Sequence, residues 1–269
     1  MSSISRSQLV KELEPGLHAL FGLEYKRWER EHAEIFTENN SDRAFEEETL
    51  LSGFGAAPTK AEGGSVEFDS ASEQWTARYV HETIALAFSV TEEAVEDNLY
   101  DTLSKRYTAA LARSMAYTKQ VKAANVLNNG FSSSYVGGDG KAMITTDHPT
   151  LAAGDLANEP STASDLSETS LESAIISIGG FVDDRNVPVA VNARKLIIPK
   201  DLAFTAQRIL KSDLRVGTAD NDTNALRQMN ILPQGYAVNH YLTDTDAWFI
   251  LTDLINSGLT MFQRRPLKT

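Results

Sequence analysis

The sequence of 269 residues predicts an α+β protein with long extensions. Apolar residues recur at helical spacing in two long segments of the first half. Short apolar runs typical of strands, with helical segments between them, follow in the second half. A stretch poor in large apolar residues lies between the two parts of the first half, where no core can form from local sequence alone.

Composition excludes several classes of site. The chain contains no cysteine, so disulfides, thiolate zinc sites, iron–sulfur ligation and cysteine nucleophiles are absent. The longest strongly apolar stretch, residues 84–90, is far shorter than the roughly 20 residues of a membrane helix, and no signal-peptide core follows Met1. We therefore expect a soluble cytosolic protein without a membrane partner.

The negative charge is confined to the beginning of the chain. The net charge is −12, and residues 1–100 hold 20 acidic and 8 basic side chains, whereas residues 101–269 hold 17 of each. This charge argues against a sequence-specific nucleic-acid binder, because such binding relies on basic residues that displace counterions. General solubility is the ordinary explanation for the surplus.

The first elements are a helical arm and a long hairpin. Residues 8–36 carry an apolar stripe at helical spacing, which Pro15-Gly16 is expected to interrupt, and residues 37–43 are expected to form a polar loop. Residues 45–80 alternate sparsely, which predicts an extended hairpin. Its tip, Gly53–Gly64, is too poor in large apolar residues to form a core, so it should be ordered only by something it touches.

A strand and the longest helix come next. Residues 82–90 are predicted to form a strand, and Thr91 is a candidate N-cap for a helix that runs to Asn128 and ends at Asn129-Gly130. Five basic residues against one acid between residues 101 and 128 give this helix a basic face, which is either solvated or a binding face. They are Lys105, Arg106, Arg113, Lys119 and Lys122.

The second half predicts a compact unit over residues 165–262. A Gly-, Ser- and Asp-rich connector spans residues 131–166, followed by helices at 167–178 and 201–210 with a polar loop at 211–224. The predicted strands are Val187–Val191, Leu196–Ile198, Tyr236–Leu242, Trp248–Thr252 and Leu259–Phe262. The run Trp248–Leu251 is typical of a strand covered on both faces.

No catalytic, cofactor or metal site is predicted. The phosphate-binding, nucleophile-elbow and zinc-protease motifs are all missing from the sequence. His148 follows Asp147 directly, and adjacent residues do not face each other, so a local hydrogen bond is the better interpretation. The acidic pairs Asp183-Asp184 and Asp244 with Asp246 lie in turn sequences, where Asp favours bonds to the backbone over a cation.

The arrangement itself indicates a shell subunit. Extensions that cannot bury their own apolar residues are completed by neighbouring copies, and many weak contacts per copy add up to a stable closed assembly. Buried aromatic residues dominate such interfaces. The candidate inter-subunit contacts are Phe21, Trp28, Phe54 and Trp75, with packing inside the same chain as the alternative for Trp28 and Trp75.

The order of these segments resembles the major capsid proteins of tailed bacteriophages, in particular the Mu-like major head subunits. The resemblance covers nearly the whole chain and lies in the arm aromatics and five local matches. These are Phe88-Ser-Val-Thr-Glu-Glu-Ala-Val-Glu-Asp97, Leu127-Asn-Asn-Gly-Phe131, Asp139-Gly-Lys-Ala-Met143 leading into Thr146-Asp-His-Pro149, Leu196-Ile-Ile-Pro199, and Asp246-Ala-Trp-Phe-Ile-Leu251.

The resemblance implies the tailed-phage capsid fold, shared with encapsulins and the floor of herpesvirus capsids. Its parts would be an N-terminal arm (1–41), an extended E-loop hairpin (42–80), a peripheral domain (81–164) with a spine helix (91–128), an axial domain (165–255) and a return to the peripheral domain (256–269). The family usually continues beyond this point, so the resemblance implies either a trimmed sequence or a shortened C-terminus. Lys60 lies in the loop through which some relatives crosslink, but no asparagine partner stands out, so no crosslink is predicted.

The resemblance also implies the partners. The subunit would form hexamers and pentamers that close into an icosahedral head, with scaffolding, portal and decoration proteins and with double-stranded DNA enclosed without sequence specificity. It would be made in the host cytoplasm and located in the virion, and its acidic surplus would suit an inner wall along which DNA slides. Two alternatives stay open: an encapsulin-like compartment, and a hydrolase or sugar-binding protein with an unrecognised site.

Overall fold

The computed structural model describes residues 10–89, 91, 100–215, 222–254 and 258–267. Its α-helices are α1 (Val10–Arg27), α2 (Tyr100–Asn128), α3 (Glu168–Gly179), α4 (Ala203–Lys211) and α5 (Ala225–Gln228). Its strands are β1 (Thr37–Asn40), β2 (Phe45–Leu51), β3 (Glu73–Val80), β4 (Ala193–Pro199), β5 (Tyr236–Asn239), β6 (Phe249–Thr252) and β7 (Thr260–Gln263). In the described part of the chain, no helix has the length and apolar character needed to cross a membrane.

A three-stranded sheet with the order β5-β4-β6 lies between two apolar clusters. Strand β4 pairs parallel with β5 and antiparallel with β6. Leu196 and Ile198 belong to a larger cluster with α3 and α4, whereas Ile197 belongs to a smaller cluster with Leu127 and Phe249. Because successive side chains point to opposite faces, a strand covered on both sides reads as a continuous apolar run. This confirms the interpretation of both Leu196–Ile198 and Trp248–Leu251.

Helices α3 and α4 cover one face of this sheet. Ser167 caps α3: its Oγ accepts from the Ser170 N–H at 3.1 Å, and the Ser170 Oγ accepts from the Ser167 N–H at 2.8 Å. This reciprocal pair satisfies two amides that the helix itself leaves without partners. Helix α4 buries Ala206, Ile209 and Leu210 on one side. Both helices lie where the sequence predicts them.

Helix α2 packs against α1 through a narrow stripe. Between residues 104 and 116 its buried residues recur every four positions, at Ser104, Thr108, Ala112 and Ala116, and these four have small side chains. Residues four apart lie on one face of a helix, and small side chains there let the two backbones approach closely. The predicted end of this helix at Asn128 is confirmed. Its predicted first turns, which follow the candidate cap Thr91, fall on residues 92–99, and these lie outside the described residues.

The hairpin of β2 and β3 is antiparallel and extended, as predicted. Its register runs from Phe45 opposite Val80 to Leu51 opposite Glu73. Most residues of both strands are exposed, and in the described structure each strand pairs only with the other. The hairpin therefore projects from the two clusters instead of packing into them.

The arm differs from the prediction in two ways. Helix α1 runs through Pro15-Gly16 without a break, so the predicted interruption is wrong, although a proline beyond the first turn costs the helix one internal hydrogen bond. Residues 37–40, predicted to be a loop, form β1, which pairs parallel with β7. The polar sequence Thr-Glu-Asn-Asn has no apolar alternation from which a strand could be predicted. The strand forms nevertheless, because its ladder bonds use backbone atoms that every residue carries.

Three strand predictions also need correction. In the described structure residues 82–89 form no strand. Val187–Val191 also form none; they follow the turn at residues 184–186, with one isolated bridge between Val182 and Pro188. Strand β7 was expected within the compact unit of residues 165–262. It pairs instead with β1 of the arm, so the chain returns to its beginning at this point.

Candidate functional site

A group of exposed apolar side chains lies on the hairpin and its tip, residues 45–80. Leu51 is 65% exposed, Phe54 64% and Phe68 95%, and Val66 and Val80 are also largely exposed. Seven acidic residues accompany two basic ones on this segment. A contiguous exposed apolar surface with a polar rim marks a site of interaction with another macromolecule.

The tip of the hairpin is held by one carboxylate. Asp69 accepts from the Gly55 N–H at 2.8 Å, which closes the tip, and one guanidinium nitrogen of Arg185 donates to both of its oxygens at 2.8 and 2.9 Å. The backbone N–H groups of Gly55 and Ser70, with Arg185, hold the pKa of Asp69 below its usual value. Arg185 lies in the turn that follows α3, so the tip is tied to the sheet region of its own chain.

The tip-side end of β3 is held by an aromatic ring. The Trp75 indole lies against Gly138 in the connector, and a Cβ atom at residue 138 would come within 2.2 Å of the ring. Only glycine leaves room for so close an approach of a ring to the backbone. The glycine-rich sequence at 137–140 is thus a turn that receives Trp75, with the Gly140 N–H donating to the Gly137 carbonyl.

The arm is joined to α2 by a partly buried polar cluster. Glu38 accepts from Lys119 at 3.0 Å, lies 2.9 Å from His32 Nε2 and pairs with Arg30. Gln120 accepts from the His32 N–H at 3.0 Å and donates to the Glu29 carbonyl at 2.9 Å. The hydrogen bond from Arg30, together with those from Lys119 and His32, lowers the pKa of Glu38 to about 2.

Comparison with known proteins identifies the chain. The profile of the family described as phage capsid protein matches residues 75–266, which is most of the sequence. The chain belongs to the phage capsid protein family. No curated protein sequence matches it.

Solved capsids share the fold of this subunit. The procapsid protein of bacteriophage JBD30 has a TM-score of 0.59 at 14% identity, over 89% of this chain and all of that one. The JBD30 capsid gives 0.58 at 13% identity, over 79% of this chain and 90% of that one. A JBD30 capsid decorated with minor capsid protein trimers gives 0.57 at 13% identity, over 78% and 89%. The protein is a structural major capsid protein of the virion, with the tailed-phage capsid fold.

The structure places the four candidate contacts of the capsid subunit differently. Phe54 projects from the hairpin tip, and Trp28 is 39% exposed at the end of the arm helix with the Arg113 guanidinium 5.3 Å from its ring. Phe21 is 4% exposed and stacks on Tyr25, and Trp75 is partly buried on Gly138. Two of the four therefore offer surface to a neighbour, and two support an element from within the chain.

The other candidate site residues of the capsid subunit make local hydrogen bonds and ion pairs. His148 Nδ1 lies 2.6 Å from Asp139 Oδ2, while Asp147 pairs with Lys141. Asp183 accepts from the N–H groups of Arg185 and Val187, which makes it a turn residue as predicted. No cluster of three or more His, Asp or Glu side chains within the described ranges is arranged to hold a metal ion.

The His32 cluster is the feature that sequence reasoning missed. The sequence pairs His32 only with Glu29, at a spacing common in any helix. Its partners Lys119 and Gln120 lie more than 80 residues further along the chain. The pattern in this part of the sequence is an apolar stripe at helical spacing, and neither His32 nor Glu38 belongs to it. Nothing in the sequence therefore marks them as partners.

Proposed function

We propose that this capsid subunit forms hexamers and pentamers that close into an icosahedral head around double-stranded DNA. The observation that supports it is the hairpin, which exposes Phe54, Val66 and Phe68 outside both apolar clusters. Exposed apolar area of this size is costly in water unless a partner covers it. In a closed shell of identical subunits, that partner is the adjacent copy.

Phe54 and Trp28 are the proposed aromatic anchors between copies, since both present a large ring to solvent. Phe21 and Trp75 support the same contacts indirectly, because each fixes the element that carries an exposed anchor. Rings that become fully buried contribute more to binding than the polar contacts around them. The subunit catalyses no reaction in this proposal.

The remaining partners follow from what a DNA-filled head requires. Assembly would take place in the host cytoplasm with scaffolding and portal proteins, and decoration proteins would bind the finished surface. DNA would be enclosed without sequence specificity, because a subunit with a net charge of −12 has no general attraction for phosphate.

Electron microscopy and native mass measurement of the protein, alone and with the products of neighbouring genes, test this proposal. Closed shells or free rings of five and six copies are the expected result. Enclosed DNA would distinguish a phage head from a cellular compartment, which would contain an enzyme as cargo. A monomer under every condition would contradict the proposal.

Removal of the hairpin tip is the sharpest test by mutation. Deletion of residues 53–64 should leave a soluble, folded subunit that forms no shells, because the tip lies outside both apolar clusters while carrying Phe54. Circular dichroism checks the fold and electron microscopy checks the assembly. Phe54→Ala should reduce assembly, and Lys60→Ala in the same tip serves as the matched control. Normal shells from the deleted chain would refute the E-loop assignment.

A further inference from the structure

One hydrogen bond in the tip region of the hairpin (residues 53–71) flanks its two exposed rings. Phe54 is 64% and Phe68 95% exposed. Each ring directly precedes a residue of this bond, in which the Gly55 N–H donates to the Asp69 carboxylate at 2.8 Å. The bond joins the two sides of the tip region where the rings leave the backbone, so the position of the carboxylate decides where both rings are presented.

The turn that carries Arg185 is fixed by bonds of its own. The Asp183 carboxylate accepts from the N–H groups of Arg185 and Val187 at 2.9 and 2.8 Å, and the Asp183 N–H donates to the Val187 carbonyl. An Asp side chain that bonds the backbone in this way stabilises a turn locally. Phe181 and Val189, on either side of the turn, pack against the larger apolar cluster. Arg185 is therefore held by the packed part of the chain.

The tip region depends on such a contact because it has no core. It begins beyond Ser52, whose N–H donates to the Ser72 carbonyl at 2.8 Å, and its residues belong to neither apolar cluster in the described structure. Ordering a segment of this kind costs conformational entropy. If the segment becomes ordered only on binding, that cost is subtracted from the affinity. A contact that already fixes it in the free subunit removes part of the cost.

We propose that Arg185 is a positioning residue for assembly, which holds Asp69 so that the free subunit already presents Phe54 and Phe68 in the arrangement that binds another copy. One guanidinium nitrogen donates to both carboxylate oxygens, at 2.8 and 2.9 Å. The Arg185 side chain is only 20% exposed in the single subunit, which suits a support within the chain. This inference rests on the proposed function and adds the group that prepares the tip region for contact.

Trypsin measures the order of the tip region in the free subunit, because Lys60 is the only basic residue between Arg43 and Arg78. Cleavage after Lys60 should be about fivefold faster in Arg185→Gln than in the unmodified chain, since the tip region opens more often without its ion pair. Arg185→Lys keeps the charge and should restore part of the protection. Arg208→Gln, at an exposed position of α4, is the matched control and should leave the rate unchanged. Equal cleavage of Arg185→Gln and the unmodified chain would overturn the proposal.

A double variant tests whether Arg185 acts through Asp69. Asp69→Asn keeps an oxygen that can accept from the Gly55 N–H but removes the charge that Arg185 binds. The chain with both Asp69→Asn and Arg185→Gln should be cleaved after Lys60 at the same rate as Asp69→Asn alone, because two changes that remove one interaction do not add. If Arg185→Gln accelerates cleavage equally with and without Asp69→Asn, Arg185 acts on something else and the proposal is wrong.

Assembly followed by light scattering gives the second measurement. Arg185→Gln should form shells about fivefold more slowly than the unmodified chain, with Arg185→Lys between them, because the rings are intact but no longer held ready. If Arg185→Gln is cleaved faster yet assembles at least as fast as the unmodified chain, Arg185 does not prepare the tip region, while the proposed function stands. If the unmodified chain forms no shells or rings under any condition, the proposed function is wrong and the role of Arg185 in assembly fails with it.

Discussion

The carboxylate of Glu38 is the shared partner of several basic side chains near the arm. It binds Arg30, Lys119 and His32, and His32 is only 2% exposed with no partner at Nδ1 in the described structure. Burial lowers the pKa of His32, although Glu38 opposes this. The cluster lies between the 3₁₀ turn at Glu31–Glu34, β1 and α2, so it fixes the arm on α2.

The cluster predicts loss of stability in acid. The folded pKa of His32 lies below 6.5, so protonation favours the unfolded chain as the pH falls through 6.5. The folded pKa of Glu38 is about 2 against 4.5, so its contribution is complete above pH 4.5 and is lost as the pH falls towards 2. The free energy of unfolding, measured with denaturant at several pH values, should fall in these two steps. Glu38→Gln should cost about 2 kcal/mol at neutral pH and should remove the lower step; an unchanged profile would contradict the assignment.

Single residues also show where sequence reasoning ends. Gly138 is one of several glycines in a loop. Nothing in the local sequence marks it as the residue that contacts Trp75, which lies 63 residues earlier in the chain. His32 and Glu38 likewise gain their meaning from Lys119. Periodicity predicts which face of an element is covered, but it does not predict which distant residue covers it.

At the scale of elements, the sequence predicts the helices and strands whose formation depends on the spacing of their side chains. The helices at 168–179 and 203–211, helix α2 and the hairpin all follow from side-chain spacing or from caps. Strand β1 was missed because its polar residues contribute only backbone bonds to β7. Residues 82–89 show the reverse case: their side-chain pattern is that of a strand, but no backbone ladder joins them to the described part of the chain.

Strand β4 joins the two apolar clusters, because its side chains enter both of them. Ile197 is fully buried at its centre, and Ile197→Ala should lower the free energy of unfolding by about 3 kcal/mol, since a cavity forms that its neighbours cannot fill. Ile176→Ala is the control: the same residue type is exposed on α3 and should change stability by less than about 0.5 kcal/mol. Denaturant unfolding of both variants measures the difference, and equal effects would place Ile197 outside a packed core.

At the scale of the molecule, charge and apolar burial act on assembly in opposite directions. Copies with a net charge of −12 repel each other at a distance, whereas burial of the hairpin's exposed apolar side chains favours contact. Salt screens charges by distance: the Debye length falls from about 30 Å at 0.01 M to about 10 Å at 0.1 M ionic strength. Long-range repulsion therefore weakens first, while contacts of a few ångströms persist.

Assembly should consequently become easier with moderate salt. The lowest protein concentration that gives shells, followed by light scattering, should fall between about 0.01 M and 0.1 M ionic strength, because most of the repulsion between copies is removed while the interface keeps its close contacts. A chain in which Glu62 and Glu67 of the tip are changed to Gln should show a smaller fall, since it carries less negative charge. A steady rise of this concentration with salt would mean that attraction between opposite charges, and not burial of the hairpin's apolar residues, drives association.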